Sequence, residues 1–329
     1  MIHLLFTGGT ISMQRDERAG GNVPTHGGAA LAALAPELPD VAAFRIDDWG
    51  RYPACHMGLP KLWELREHVR AVSGGEGYPA GEAPQGIVIA HGTDTIEDSA
   101  YLLGRTLDPR TPVVITGAMR TSDDPGWDGR RNLTDAARVA AHPDSGGRGT
   151  MVVFAGHIFA GTEVAKTHAT DDDAFEAPHG GPIGAVHEGR VHFFRPASSR
   201  RPLPAGPPSA RVAHVPMVVG DEGELLDLAR PTHDGVVIVA FGSGNLPPGA
   251  VPAIDRWLVE GKPAVLASRC LRGEVTPAYA FPGGGATLVR RGVTPAGTRT
   301  PAQARMELTL ALSAGIPYGG DAPRRAATP

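Results

Sequence analysis

Six short apolar stretches, at residues 2–6, 87–90, 113–116, 151–155, 236–240 and 264–268, recur along the chain, and most are continuous rather than alternating. A strand that reads apolar at every position is buried on both faces, which is the condition inside a parallel sheet covered by helices. Helical patterns lie between these runs. Residues 59–72 place Leu62, Leu65, Val69 and Val72 on one face, with Pro60 in the first turn. Residues 133–141 and 301–314 read similarly, and Pro301 again suits a helix start. The alternation predicts an α/β fold with a doubly wound sheet.

A length of 329 residues suggests two domains. A proline-rich stretch at 196–216, with Arg200-Arg201-Pro202-Leu203-Pro204 and Gly206-Pro207-Pro208, interrupts the rhythm and reads as a linker. The expectation is a larger N-terminal α/β domain over 1–195, the linker 196–216, and a smaller C-terminal α/β domain over 217–329. Residues 74–84 and 146–149 read as surface loops. Residues 10–28, rich in glycine and charge, read as a long mobile loop of the kind that serves as a lid.

Composition excludes several function classes. A net charge of −4 gives no global bias toward nucleic acid. No apolar run approaches the roughly 18 residues of a membrane helix. The N-terminus lacks a basic segment and soon meets Gly8-Gly9, so no signal peptide is expected and the chain is read as cytoplasmic. Cys55 and Cys270 are too few and too far apart for a disulfide framework or a zinc site. Only Lys61, Lys166 and Lys262 stand against 28 arginines, which makes each lysine conspicuous.

The residues that can carry chemistry cluster at strand ends, where ligands gather in open α/β sheets. Thr7-Gly8-Gly9-Thr10-Ile11 follows the first strand. Its glycines allow a sharp turn and close approach of backbone to a ligand, with the Thr10 hydroxyl free. His91-Gly92-Thr93-Asp94-Thr95 follows the strand at 87–90, with Glu97 and Asp98 in the first turn of the next helix. Asp94 or Thr95 can cap that helix, and its N–H groups can meet an anion. His91 reads as a packed, hydrogen-bonded histidine. Thr162-Glu163-Val164-Ala165-Lys166-Thr167-His168 supplies a lysine; beside Asp94 and a threonine hydroxyl it would act as a base or as an orienting charge. Asp171, Asp172 and Asp173 read as a solvated acidic turn. Gly117-Ala118-Met119-Arg120 and Gly242-Ser243-Gly244-Asn245-Leu246 offer open backbone at two further strand ends. No nucleotide-binding glycine motif, serine nucleophile elbow or H-E-x-x-H is present.

Taken together, these motifs resemble the bacterial-type L-asparaginase (asparaginase/glutaminase) family. The resemblance rests on Thr7-Gly8-Gly9-Thr10-Ile11 and His91-Gly92-Thr93-Asp94-Thr95, extended by Gly117-Ala118-Met119-Arg120, Asp128-Gly129 with Asn132-Leu133, Lys166-Thr167 and Gly242-x-Gly244-Asn245-Leu246, and it spans residues 1 to about 290. It implies two α/β domains and a cofactor-free amidohydrolase converting L-asparagine and water to L-aspartate and ammonia, with minor glutaminase activity. It further implies that Thr10 is the nucleophile and that Thr93, Asp94 and Lys166 form the second catalytic group. Gly9, Ala54, Cys55, His56, Gly92, Ala118 and Ser243 are the implied substrate contacts. Ser243 falls where many members carry an asparagine that reaches a neighbouring subunit's site, so a homodimer or homotetramer is implied. No metal, nucleic acid or membrane partner is. The chain departs from the family twice. Residues 11–30 contain no tyrosine, and Ala54-Cys55-His56-Met57 stands where a serine usually binds the substrate α-carboxylate.

Two alternatives stand beside this reading. An amide-hydrolysing subunit of a tRNA amidotransferase would carry a further domain ahead of the T-G-G-T motif, whereas Thr7 follows only six residues. A catalytically silent amino-acid-binding or regulatory protein with the same fold would have no use for the polarised hydroxyls of Thr10 and Thr93.

Overall fold

A computed structural model describes residues 1–197, 201–204 and 206–319. The chain divides into two compact units, Met1–Pro202 and Leu203–Pro329. Each is an α/β unit.

The first unit runs β1 (Ile2–Gly8), β2 (Met13–Asp16), β3 (Gly21–Pro24), α1 (Gly28–Ala33), α2 (Leu38–Val41), β4 (Phe44–Tyr52), α3 (Leu59–Ser73), β5 (Gly86–Ala90), α4 (Ile96–Thr106), β6 (Val113–Thr116), α5 (Gly129–Ala141), β7 (Thr150–Phe154), β8 (His157–Ala160), β9 (Ala165–Lys166), β10 (Phe175–Glu176), β11 (Gly184–His187) and β12 (Arg190–Phe193). Eight strands form one sheet in the order β12-β11-β8-β7-β6-β5-β1-β4. From β4 to β7 the neighbours are parallel. Beyond β7 they are antiparallel, so the doubly wound core carries a meander at one side.

The continuous apolar runs are the central strands. Ile2, Leu4 and Phe6 of β1 join Val88, Val114 and the Leu133, Ala136 and Ala137 side of α5 in one core. The residues between them, Leu5, Ile87 and Ile89, are equally buried and by strand alternation face the opposite layer. There α3 presents Leu62, Leu65, Val69 and Val72, and α4 packs on β6 and β7. Burying a side chain of this size contributes about 1.5–3 kcal/mol.

The second unit runs β13 (Val212–Pro216), α6 (Glu224–Ala229), β14 (Gly235–Ala240), α7 (Val251–Val259), β15 (Ala264–Ser268), α8 (Gly285–Arg291), β16 (Thr294–Pro295) and α9 (Pro301–Ser313). Its four strands lie in chain order and are all parallel. Trp257 is fully buried and donates its indole N–H to the Leu226 carbonyl at 3.0 Å. Helix α9 begins with a complete capping box, Thr300 with Gln303, ahead of Pro301.

Two sequence expectations are corrected. The stretch read as a linker, 196–216, contains β13 at its end. Val212, Ala213 and Val215 are buried there, and the prolines upstream mask that pattern. Within the same stretch, residues 198–200 and 205 lie outside the described residues, as do 320–329 of the expected C-terminal domain. Residues 10–28 are not an open loop. Met13–Asp16 and Gly21–Pro24 pair as an antiparallel hairpin. Its base is tied down where Ser122 donates its N–H and hydroxyl to the Met13 carbonyl and the Arg15 N–H donates to Asp123. No helix among the described residues is long and apolar enough to cross a membrane.

Candidate active site

The C-terminal ends of β1 and β5 lie side by side in the sheet, and glycines bring them into contact. Gly8 and Gly9 both have positive φ, +107° and +87°, a backbone region that favours glycine. A Cβ on Gly9 would stand 2.2 Å from the Gly92 Cα, and one on Gly92 would stand 2.7 Å from the Ala54 Cβ. Gly9, Gly92 and Ala54 therefore meet at one point, each from a different strand end. Thr7 anchors the junction, donating its hydroxyl to the Ala90 carbonyl at 3.1 Å. Ser12 donates both its N–H and its hydroxyl to the Gly9 carbonyl, which fixes the short turn Thr10–Ser12. Thr10 is half-buried. Among the described residues its hydroxyl has no hydrogen-bond partner.

On the β5 side, Thr93–Thr95 forms a short turn leading into α4. Thr93 is buried, Asp94 is exposed, and the Thr95 hydroxyl donates to the Ala54 carbonyl at 3.2 Å. Lys166, on the two-residue strand β9, reaches this turn. Its ammonium donates to the Thr93 hydroxyl at 3.1 Å and to the Asp94 carboxylate at 2.7 Å. An exposed Lys–Asp pair contributes little by itself. Here the lysine side chain is only 16% exposed, and the same charge is shared with a buried hydroxyl. His91 is fully buried and bonded to the Gly92 carbonyl and the Ser99 hydroxyl, and burial lowers its pKa. It is the packed histidine that its sequence position suggested.

Two acids in this region act in ways the sequence does not disclose. Glu97 accepts the Lys166 backbone N–H at 2.8 Å. Burial, opposed by that hydrogen bond, raises its pKa to about 7. Asp128 accepts the backbone N–H groups of Met119 and Arg120, while Asn132 donates to both Asp128 and the Gly117 carbonyl. The turn that carries Ala118 is thus held by the Asp128-Gly129 and Asn132-Leu133 motif. Gly117 lies against the His91 carbonyl and the Thr93 methyl, so this turn joins the same cluster.

The remaining sequence-predicted residues are placed less centrally. Cys55 and His56 follow Ala54 in a short turn and are exposed. Ser243 lies in the second unit, in a turn where its carbonyl accepts the Thr276 N–H. Asp172 of the acidic turn pairs with Arg120.

Comparison with known proteins identifies the chain as an amidohydrolase of the asparaginase type. Residues 1–199 match the family described as Asparaginase, N-terminal, and residues 211–318 match the Glutaminase/Asparaginase C-terminal domain. The chain belongs to the bacterial-type asparaginase family. It is 35% identical over 323 residues to a probable L-asparaginase of Deinococcus radiodurans, covering 95% of this chain and 93% of that one. It is 30% identical over 319 residues to an L-asparaginase of Bacillus licheniformis, covering 95% of each chain. A glutamyl-tRNA(Gln) amidotransferase component of Pyrococcus furiosus is 32% identical, over 94% of this chain and 72% of the relative. The crystal structure of a probable cytoplasmic L-asparaginase from Campylobacter jejuni superposes with a TM-score of 0.81 at 26% identity, over 95% of this chain and 94% of that one.

Proposed function

We propose that this chain hydrolyses the side-chain amide of L-asparagine, with Thr10 as nucleophile and Thr93, Asp94 and Lys166 as the group that supports the developing charge. The observation that carries the reading is the Lys166 ammonium, within hydrogen-bond distance of both the Thr93 hydroxyl and the Asp94 carboxylate, on a turn whose Gly92 meets Gly9, the residue before Thr10.

In this reading the Thr10 oxygen bonds to the amide carbon, the C–N bond breaks, and ammonia leaves carrying the hydroxyl proton. Water then cleaves the acyl ester, releasing L-aspartate and returning a proton to Thr10. A threonine hydroxyl is a weak nucleophile and needs a base or a field. Lys166 supplies the field through Thr93, and the Thr93 N–H is the oxyanion donor. Asp94, exposed, meets the substrate α-ammonium. The backbone of Ala54, Cys55 and His56 faces the α-carboxylate, and the Ala118 carbonyl accepts from the leaving NH2. Ser243 completes the site of a neighbouring copy in a homodimer or homotetramer. Glutamine, one methylene longer, is disfavoured by only about 1–3 kcal/mol, which leaves room for minor glutaminase activity. A cytoplasmic location accords with the Campylobacter relative.

The test is ammonia release from L-asparagine and L-glutamine by the purified chain, without tRNA, alongside Thr10→Ala and Thr93→Ala. Release from asparagine that is lost in both variants, each with an unchanged melting midpoint, supports the reading. Near-native release by Thr10→Ala overturns the nucleophile assignment. No release from either amide overturns the substrate.

A further inference from the structure

A second cluster of chemically capable side chains lies away from this site, at the amino end of β1. His3, Asp47 and His68 come from β1, β4 and α3. Their ligand atoms, one from each, all lie within 4.8 Å of one another. Both imidazoles aim at a single oxygen. His3 Nε2 is 3.1 Å and His68 Nε2 is 2.6 Å from Asp47 Oδ2. The register explains the convergence: His3 pairs with Arg45, so Asp47, two residues on, projects from the same sheet face. That face is the one α3 covers.

We infer that His3, Asp47 and His68 form a binding site for a divalent transition-metal ion of the zinc class. Two imidazoles and one carboxylate are the donor set that suits zinc, cobalt or nickel, whereas magnesium and calcium require oxygen ligands. Zinc bonds of about 2.0 Å in tetrahedral geometry space the donors roughly 3.3 Å apart. His3 and Asp47 already stand near that spacing, and the His68–Asp47 pair needs to open by only some tenths of an ångström. His3 is fixed, its side chain 4% exposed, while His68 is 34% exposed and free to adjust.

The surroundings meet the other requirements of such a site. A metal-bound imidazole must carry its proton on the other nitrogen and give it to an acceptor. For His3 that acceptor is in place, the Tyr78 hydroxyl at 2.9 Å from Nδ1. The partial exposure of His68 and Asp47 provides an entry path and a fourth position for water. Binding replaces the two direct His–Asp47 contacts with one shared cation. His3 is five residues from Gly8 along β1, roughly 17 Å at the rise of a strand. The ion therefore ties α3 and β4 to β1 and takes no part in turnover.

The experiment uses the full chain without an affinity tag, stripped with a chelator and desalted. Thermal midpoints are read with no metal, with zinc chloride and with magnesium chloride, and zinc stoichiometry is read by calorimetry. At a hundredfold excess over its dissociation constant, zinc is expected to raise the midpoint by roughly 5 °C, at one equivalent per chain, with no effect of magnesium. His68→Ala, at a position about a third exposed, and Asp47→Asn are each expected to abolish the zinc-dependent shift. Cobalt should give visible absorption bands in the parent chain that are absent in His68→Ala. No zinc-dependent shift in the parent, or an equal shift in His68→Ala, overturns the site.

Discussion

The carboxylate of Glu97 accepts the backbone N–H of Lys166 at 2.8 Å, so an acid in the first turn of α4 fixes the strand from which the lysine projects. The lysine's ammonium then returns to the same segment, at Thr93 and Asp94. Residues 93–97 and Lys166 thereby hold each other through both main chain and side chain.

The pH dependence of stability should report the burial of Glu97, which outweighs this hydrogen bond. Glu97 keeps its proton in the folded chain up to about pH 7, against an ordinary value of 4.5. Between those values the folded state binds more protons than the unfolded one, so stability falls as pH rises. The contribution is fully present below 4.5 and lost above 7, and amounts to about 3 kcal/mol. In Glu97→Gln this fall should vanish. Denaturant midpoints from pH 4 to 8 for both proteins are the measurement, and parallel curves would contradict it.

Lys166→Met should lower kcat by at least about a hundredfold while KM moves little, because a group that acts on developing charge is felt in the transition state. Lys166→Arg should not restore the rate, since a planar guanidinium cannot place one donor on both Thr93 and Asp94. Steady-state kinetics on asparagine decide this. A raised KM with unchanged kcat would make Lys166 a binding residue.

Asp128→Asn tests the scaffold beneath Ala118. The amide would turn an NH2 toward the Met119, Arg120 or Asn132 donors now satisfied by carboxylate oxygens. Leaving one such donor unmet costs about 1–3 kcal/mol. We expect a lower melting midpoint together with reduced kcat/KM. A variant with native kinetics would show that the 117–120 turn keeps its place without this acid.

Gly9→Ala should remove activity almost entirely. The added methyl meets backbone rather than a movable side chain, and the positive φ disfavours any Cβ. Separation of the Thr10 turn from the Thr93 turn is the expected consequence, read as lost ammonia release from a chain that still unfolds cooperatively. Full activity would mean that the two turns need no such contact.

Much of this architecture is legible in the residue order, for reasons that are local. β1, β5, β6, β7, β14 and β15 are apolar at nearly every position because both faces are covered. β4 escapes notice because it is the sheet edge, and Arg45, Asp47, Asp48 and Arg51 dilute its pattern. β13 hides behind prolines. At the site, Thr10, Thr93, Asp94 and Lys166 stand out through motif and rarity, and the fold assembles the last three. Glu97 passes as an ordinary helix-start acid, and Asp128 stands out only as part of a motif with no role attached. Their use depends on backbone N–H groups 69 and 8–9 residues away, a relation that no local pattern encodes.

The contact between Gly9 and Gly92 also gives a way to sort related chains. A threonine can be retained by descent long after it has stopped working, so a surviving T-G-G-T or H-G-T-D-T is weak testimony that a relative still turns over substrate. The glycine pair is stricter. It records whether the two turns can still touch, and any side chain at either position marks a protein in which the turns carrying Thr10 and Thr93 have been pushed apart. Sequences with both threonines but only one of these glycines are the place to look for members of the fold that have exchanged catalysis for another task.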